Sequence, residues 1–556
     1  MIERSKLRWN GWGWAAHQDD LAARAEVWDW LAGELGMPSL LATPARPLDE
    51  ISLAPSRLDP ATRESLAAIV GPDRVHDDKF ERAFHALGQS YHDLLRLRAG
   101  DLSRAPDAVI YPRSSDEVLS LLAFASERSL AVVPYGGGTS VVGGVTAERG
   151  TFEAVIAVDL SGMNQVLGID AEARTARAEA GIYGPALEKA LQAQGFTLGH
   201  YPQSFEFSTL GGWIAHRGAG QQSNRYGKAE EWLLAVALAT PRGLFATKDF
   251  PASAAGPRLT DLIAGSEGAF GIVTEATIRI HASPERVEDR AYLFRDFAGG
   301  AQAIREAVQA EIPVAMLRLS DAEETRFYRA FGSVGKRPGL SDWIAKRVLD
   351  ARKFTAEACA MIASFEGDAA SVRDSRRRFG EIAKRHGAMS LGTRPGERWR
   401  HGRFHGPYLR DPMLDRGLGV DTLETATTWP RVASLCAAVR KALEAAILET
   451  APRPGARGVV MSHISHSYPD GASLYFTYIF PRALDREIAQ WQAIKRAASD
   501  AIVANGGTIS HHHGVGEDHL PWTRQEKGEL GVEILRAIKR TLDPKGILNP
   551  GKLIPP

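Results

Sequence analysis

The chain has 556 residues, more than one hydrophobic core usually serves, so two or three domains are expected. Lys plus Arg and Asp plus Glu number 67 each, and a formal net charge of zero excludes a general nucleic-acid binder. Cys359 and Cys436 lie too far apart in sequence to suggest a disulfide framework, which points to a reducing, cytoplasmic setting. The N-terminus MIERSKLRWNGWGW has no apolar signal core, and no apolar run approaches the roughly 18–20 residues of a membrane span. Heavy use of Arg over Lys, with abundant Ala, suggests a GC-rich bacterial source.

Residues 1–101 read as a helical arm. The segments 58–70 and 78–98 carry helical periodicity, the second through Phe80, Phe84, Leu87, Tyr91 and Leu94. Residues 102–284 alternate strand and helix. The strand DAVIYP precedes a Ser-capped helix, SSDEVLSLLAFASER, and the apolar strand LAVVPY enters a glycine loop. FEAVIAVDL, QVLGID, TARAEAG and LLAVALA (233–239) follow as strands. Residues 285–500 form a second unit, ending in two strands joined by a Pro-Asp-Gly turn (459–480) and a long helix. Residues 501–556 carry SHHHGVG and close the chain. The class expected is α+β, with an antiparallel sheet covered by helices in the second unit.

Three glycine-rich segments carry the chemistry. PYGGGTS (134–140) follows a buried strand, and its backbone N–H groups can converge on an anion such as a pyrophosphate. It is neither a Walker loop, for lack of a Lys-Ser/Thr pair, nor a Rossmann fingerprint, because residue 141 is Val. PQSFEFSTLGGWIAHRGAGQQSNRYG (202–227) and GSEGAFGIVTEATIRI (265–280) are the other two. Three such segments in one α+β unit are hard to explain by packing alone.

Together they resemble the PCMH-type FAD-binding domain of the vanillyl-alcohol oxidase flavoproteins. The resemblance narrows over RWNGWG (8–13), EFSTLGGW (206–213), TPRG (240–243), GSEGAFGIVTEATI (265–278), YLRD (408–411), LYFTYIF (474–480) and SHHHGVG (510–516). In this order they are similar to the alkyldihydroxyacetonephosphate synthase family, from Arg8 to Leu553. That resemblance implies FAD-dependent exchange of the acyl group of acyl-dihydroxyacetone phosphate for a fatty alcohol, through an adduct on flavin N5, in ether-lipid synthesis. It implies a PCMH-type domain under a cap, lipid-like substrates and a homodimer. The first loop has no histidine to tether the flavin, so non-covalent FAD is expected.

By the same resemblance, FAD is contacted by Pro134, Tyr135, Gly136, Gly137, Gly138, Thr139 and Ser140. The further contacts are Gln203, Ser204, Phe205, Glu206, Phe207, Ser208 and Thr209, then Ala215, His216, Arg217 and Gly218, and finally Glu267, Gly268, Ala269, Phe270, Gly271, Ile272 and Val273. Tyr475 matches the family's acid/base tyrosine, Arg410 its phosphate arginine, Thr422 a family serine near that phosphate, and Arg318 a supporting arginine. A phenol acting as a base near neutrality needs its pKa tuned downward, and the histidines and Arg410 are the cations expected to do so.

Read as an extended segment, His511 and His513 share one face and His512 opposes them. The family reading makes the three an active-site loop and assigns no metal. His463 and His466 are the residues that would complete a metal site there. The basic, aromatic segment 325–354 (Phe327, Tyr328, Phe331, Trp343, Ile344, Val348, Leu349, Phe354) suits a membrane-surface gate for lipid substrates, or a helix pair with a solvated face. An FAD-linked D-2-hydroxy-acid dehydrogenase of the same fold is the enzyme alternative, and a flavin- or lipid-binding protein without turnover is the non-enzyme one.

Overall fold

The computed structural model describes residues 2–17, 24–336, 339 and 347–556. The α+β class is the class observed. A four-stranded sheet runs Val75–His76, Ala108–Ile110, Ala154–Asp159, Leu130–Tyr135, with the last three strands parallel. Those three parallel strands are almost wholly apolar, as sheets covered on both faces require. Ser114 caps the helix Ser115–Glu127 by accepting from Glu117 N–H, and Val118, Leu121, Leu122 and Ala125 form its buried side. A five-stranded antiparallel sheet continues the domain, ordered Val166–Asp170, Thr175–Glu179, Ile272–Arg279, Leu233–Thr240, Gly243–Ala246.

The second domain is a seven-stranded antiparallel sheet. Its order is Met389–Gly392, Arg286–Phe294, Cys359–Gly367, Met316–Ser320, Val459–Ser467, Gly471–Pro481, Leu418–Thr428. Period-two alternation divides the strands by face. Leu317, Leu319, Ile464, Leu423, Leu474 and Phe476 enter a core with residues of the helices Phe297–Gln309, Ala369–Arg385, Val432–Glu449 and Glu487–Ala504. Arg318, Ser320, His463, Tyr475, Thr422 and Glu424 take the alternate positions and share the other face.

Residues 1–101 are not one arm. Val27, Trp28 and Leu31 of the helix Ala25–Glu34 pack under the cap, whereas Leu66 and Val70 of the helix Pro60–Val70 join the core of the first domain. The single helix expected over 78–98 is two, Lys79–Phe84 and Tyr91–Ala99. The break lets Gln89 N–H donate to Ser140 O, and a Cβ on Gly88 would come within 2.7 Å of that oxygen. The chain is therefore bent to seat the glycine loop.

In the segment 325–354, Phe327 is buried and Phe331 packs beside it, both against Trp30, so these two do not face out. Phe354 is also buried, while Tyr328 and Val348 are exposed. Trp343 and Ile344 lie outside the described residues. Among the described residues no helix is long and apolar enough to cross a membrane.

The C-terminus packs on the first domain. Val132 N–H donates to Ile547 O and Asn549 N–H to Val132 O, so this segment covers the edge strand Leu130–Tyr135. The Asn549 amide donates to Gly144 O at 3.0 Å and Glu267 O at 2.7 Å. Asn549→Ala leaves those buried carbonyls without donors, a cost of roughly 1–3 kcal/mol. Urea unfolding followed by flavin release should show an earlier midpoint, and an unchanged midpoint would argue that the staple carries no load.

Candidate active site

The predicted cofactor segments converge. A Cβ on Gly137 would lie 1.8 Å from Phe207 O, so only glycine lets this loop meet the second segment. Gly268 abuts Pro134, Gly265 abuts Arg217, and Tyr183 bridges Thr209. Among the described residues the N–H groups of Gly137, Gly138 and Thr139 have no hydrogen-bond acceptor. Backbone donors grouped in this way, with no side chain between them, fit a dinucleotide pyrophosphate. Ser140 Oγ turns the chain by accepting from Gly144 N–H at 2.9 Å.

Other members of the set have their side chains engaged within the protein. Phe205, Ala269, Phe270, Ile272 and Val273 send their side chains into the core of the first domain, and Phe207 joins Leu7, Trp12 and Tyr408. The Gln203 amide donates to Arg403 O, and Trp213 Nε1 donates to Ser208 Oγ. His216 holds Gly212 O through Nδ1, while its Nε2 is buried without a partner beside Gly144.

Arg4 was not foreseen from the sequence. Its Nη2 donates to Gly136 O at 2.7 Å and pairs with Asp159 Oδ2 at 2.6 Å, and the guanidinium lies near the rings of Phe84, Tyr135 and Tyr183. Burial works to raise Asp159, but the Arg4 charge prevails and the carboxyl sits at about 2.

Across from the cradle lies the polar face of the cap sheet. Tyr475 pairs laterally with Glu424 on one side and His463 on the other. Its ring stacks on His463 at 5.0 Å and meets His513 edge-on at 5.6 Å. Arg318 Nη2 lies 3.0 Å from both Glu324 Oε1 and His463 Nδ1. It thus fixes the imidazole on which Tyr475 rests. Burial opposes ionisation of Glu324, but Arg318 and His463 hold it at about 2. Arg410 Nη1 donates to Gln89 O at 2.8 Å, which links the cap to the loop that seats Ser140.

The histidine loop is not extended, and the expected alternation of His511, His512 and His513 does not occur. Their N–H groups all donate to one oxygen, Glu424 Oε1, at 2.8, 2.7 and 2.9 Å. Successive N–H groups curled round an anion form a nest, which strands cannot provide. Burial disfavours the Glu424 anion, yet His512 beside it, more than His511 or His513, holds it well below the usual carboxylate range. Val515 and Gly516 N–H donate in turn to Glu267 at 2.6 Å each. His463 does not join the loop, being held by Glu324 and Arg318, whereas His466 stacks on His511 at 5.0 Å.

The expected tuning of Tyr475 is also reversed. Burial lowers His466, His511 and His513 well below the ordinary histidine value, so they are neutral and are not the cations that would acidify a phenol. Burial pushes Tyr475 up to about 12, with the Thr422 hydroxyl and Arg410 pulling weakly the other way.

Alkyldihydroxyacetonephosphate synthase of Dictyostelium discoideum is 36% identical over 532 residues, 94% of this chain and 86% of its own. The chain belongs to the alkyldihydroxyacetonephosphate synthase family. The synthase of Trypanosoma brucei brucei is 34% identical over 88% of this chain and 80% of its own, and that of Caenorhabditis elegans 31% over 99% and 95%. A solved alkyldihydroxyacetonephosphate synthase structure superposes with a TM-score of 0.83 at 31% identity, covering 99% of this chain and 98% of that one. The family model "FAD binding domain" matches residues 106–247, and "FAD linked oxidases, C-terminal domain" matches 284–553. An FAD-linked oxidoreductase of Escherichia coli is more distant, at 27%.

Sequence reading missed Glu424, although Thr422 and Glu424 stand two residues apart on one strand and so share a face with Tyr475. Glu424→Ala would strand three buried donors and cost about 3 kcal/mol or more. Thermal melts of the holoenzyme should drop accordingly, with Glu424→Gln recovering much of the loss because its amide oxygen still accepts. Equal melting of all three proteins would remove the nest from the stability of the site.

Proposed function

We propose that the protein is an FAD-dependent alkylglycerone-phosphate synthase that exchanges the acyl group of acyl-dihydroxyacetone phosphate for a fatty alcohol. One observation carries this reading. Tyr475, Thr422 and the Glu424-held histidine loop share one face of the cap sheet, and Arg410 reaches Gln89, whose N–H binds Ser140 of the glycine loop. The exchange is redox-neutral: the C1–O bond to the acid breaks and one to the alcohol forms.

Arg410 supplies a permanent guanidinium for the substrate phosphate, and Thr422 adds a hydroxyl beside it. FAD, held by the backbone of 134–140, would supply a nucleophile for the exchange at C1. Tyr475, held protonated by burial, donates its proton to the departing carboxylate. The resulting phenolate takes a proton from the incoming alcohol, which restores the starting state. Arg318 and His463 position that phenol. His513 faces it from the loop. The lack of histidine at 134–140 supports non-covalent FAD.

Tyr475→Phe should lower turnover with acyl-dihydroxyacetone phosphate and hexadecanol by about 10²–10⁴-fold while FAD stays bound. Near-normal turnover would refute the proton role. Flavin bleaching by a D-2-hydroxy acid, with no ether product, would replace the synthase reading with a dehydrogenase. Bound flavin with neither activity would leave a binding protein.

The same reading makes the protein a cytoplasmic homodimer that touches membranes peripherally through 325–354, where Tyr328 and Val348 are exposed. Flotation with liposomes containing long-chain alcohol should recover it with the vesicles, and a Tyr328→Glu variant should float less. Equal recovery of the two would dismiss that surface.

A further inference from the structure

The histidine nest gathers more than its carboxylate requires. Nδ1 of His511 and Nδ1 of His512 lie 3.1 Å apart. Oε2 of Glu424 stands 3.5 Å from the first and 3.2 Å from the second. Donors held about 2.0–2.1 Å from a tetrahedral ion are separated by roughly 3.3–3.4 Å along each edge, so these three atoms outline one face of such a tetrahedron.

His466 stands at the fourth corner. Its ring lies 5.0 Å from that of His511 and 5.6 Å from that of His512, and one ligand atom from each of the three histidines falls within 4.8 Å of the others. The residue is 5% exposed, and its Nδ1 has no hydrogen-bond partner. Glu424 Oε2 is also buried without a hydrogen bond. A proton shared between the two Nδ1 atoms would satisfy that pair alone. It would leave the His466 nitrogen and the carboxylate oxygen unmet, at the usual cost of buried polar atoms.

The surrounding contacts are those of a ligand set. The Tyr468 hydroxyl lies 2.5 Å from His511 Nε2, so that nitrogen can carry the proton and turn the lone pair of Nδ1 inward. Oε1 of Glu424 is occupied by three N–H groups, which orients Oε2. A second cluster, His92, Glu517 and Asp518, lacks these properties. Both ring nitrogens of His92 are already bonded, to Arg96 and Asp518, and Glu517 is paired with Arg104.

We propose that His466, His511, His512 and Glu424 form a closed tetrahedral site for one divalent transition-metal ion, zinc by its donor set. Four protein ligands leave no position for substrate. The ion therefore acts as a staple, joining the loop 510–513 to the strands Leu418–Thr428 and Val459–Ser467. His511 and His512 then serve as ligands and leave proton chemistry to His513, whose ring meets Tyr475 edge-on at 5.6 Å. The proposal does not depend on which reaction the flavin supports.

The test uses untagged holoenzyme, so that no purification histidines compete. After chelator treatment, dialysis against zinc and removal of free metal, elemental analysis should find one zinc per chain. Tyr468→Phe should weaken zinc binding about 10–100-fold, as loss of a partner to a ligating histidine does. His466→Ala should weaken it further, with bound FAD in each variant reporting that the fold is kept. Cobalt in place of zinc should give the intense visible bands of a tetrahedral site. Absence of stoichiometric zinc in the wild type, zinc affinity unchanged by both substitutions, or an octahedral cobalt spectrum would each overturn the proposal.

Discussion

Oε1 of Glu424 accepts hydrogen bonds from the N–H groups of His511, His512 and His513, and the arrangement of the site follows from that contact. The carboxylate is buried on Leu418–Thr428, the edge strand of the cap sheet, where an unpaired charge would be intolerable. Wrapping the loop satisfies it and in return fixes a segment 87 residues away in sequence. The next two residues are gripped by Glu267 of the first domain. SHHHGVG is thus clamped in two halves by two carboxylates, one from each domain. That clamp ties the cap sheet to the first domain.

Neutral imidazoles follow from the same burial. An ionised Glu424 favours protonated histidines, but desolvation outweighs it for His511 and His513. His511 and His513 therefore offer nitrogen lone pairs and no positive charge. Arg410 spends one guanidinium nitrogen on Gln89 O, and Arg318 is absorbed by Glu324 and His463. Tyr475 keeps its proton for the same reason, which makes donation the first step open to it.

Both chain ends serve the first domain. Arg4 braces the glycine loop through Gly136 and Asp159, and Asn549 ties together the two loops that contribute Gly144 and Glu267. The nominal arm is divided between domains, with Ala25–Glu34 under the cap and Pro60–Val70 on the first domain. Domain boundaries drawn from composition miss this, because each helix buries its apolar side against a partner that the local sequence does not name.

The local patterns determined the elements. The runs 459–467 and 471–481 yield two adjoining inner strands of the cap sheet, and the apolar run 130–135 a covered parallel strand. Glycine at 137 was legible as a loop needing close approach, and the ordered motifs were legible as a family. The single helix over 78–98, an outward Phe327 and Phe331, and the alternating histidines failed for one reason. Each was read from spacing along the chain, while the outcome depended on a partner distant in sequence: Ser140 O for the bend at Gly88, Trp30 for Phe327 and Phe331, and Glu424 for the three imidazoles. Periodicity states which side of an element is apolar. Only the assembled fold decides which buried charge or open donor that element must satisfy, because hydrogen bonding is settled by proximity in space.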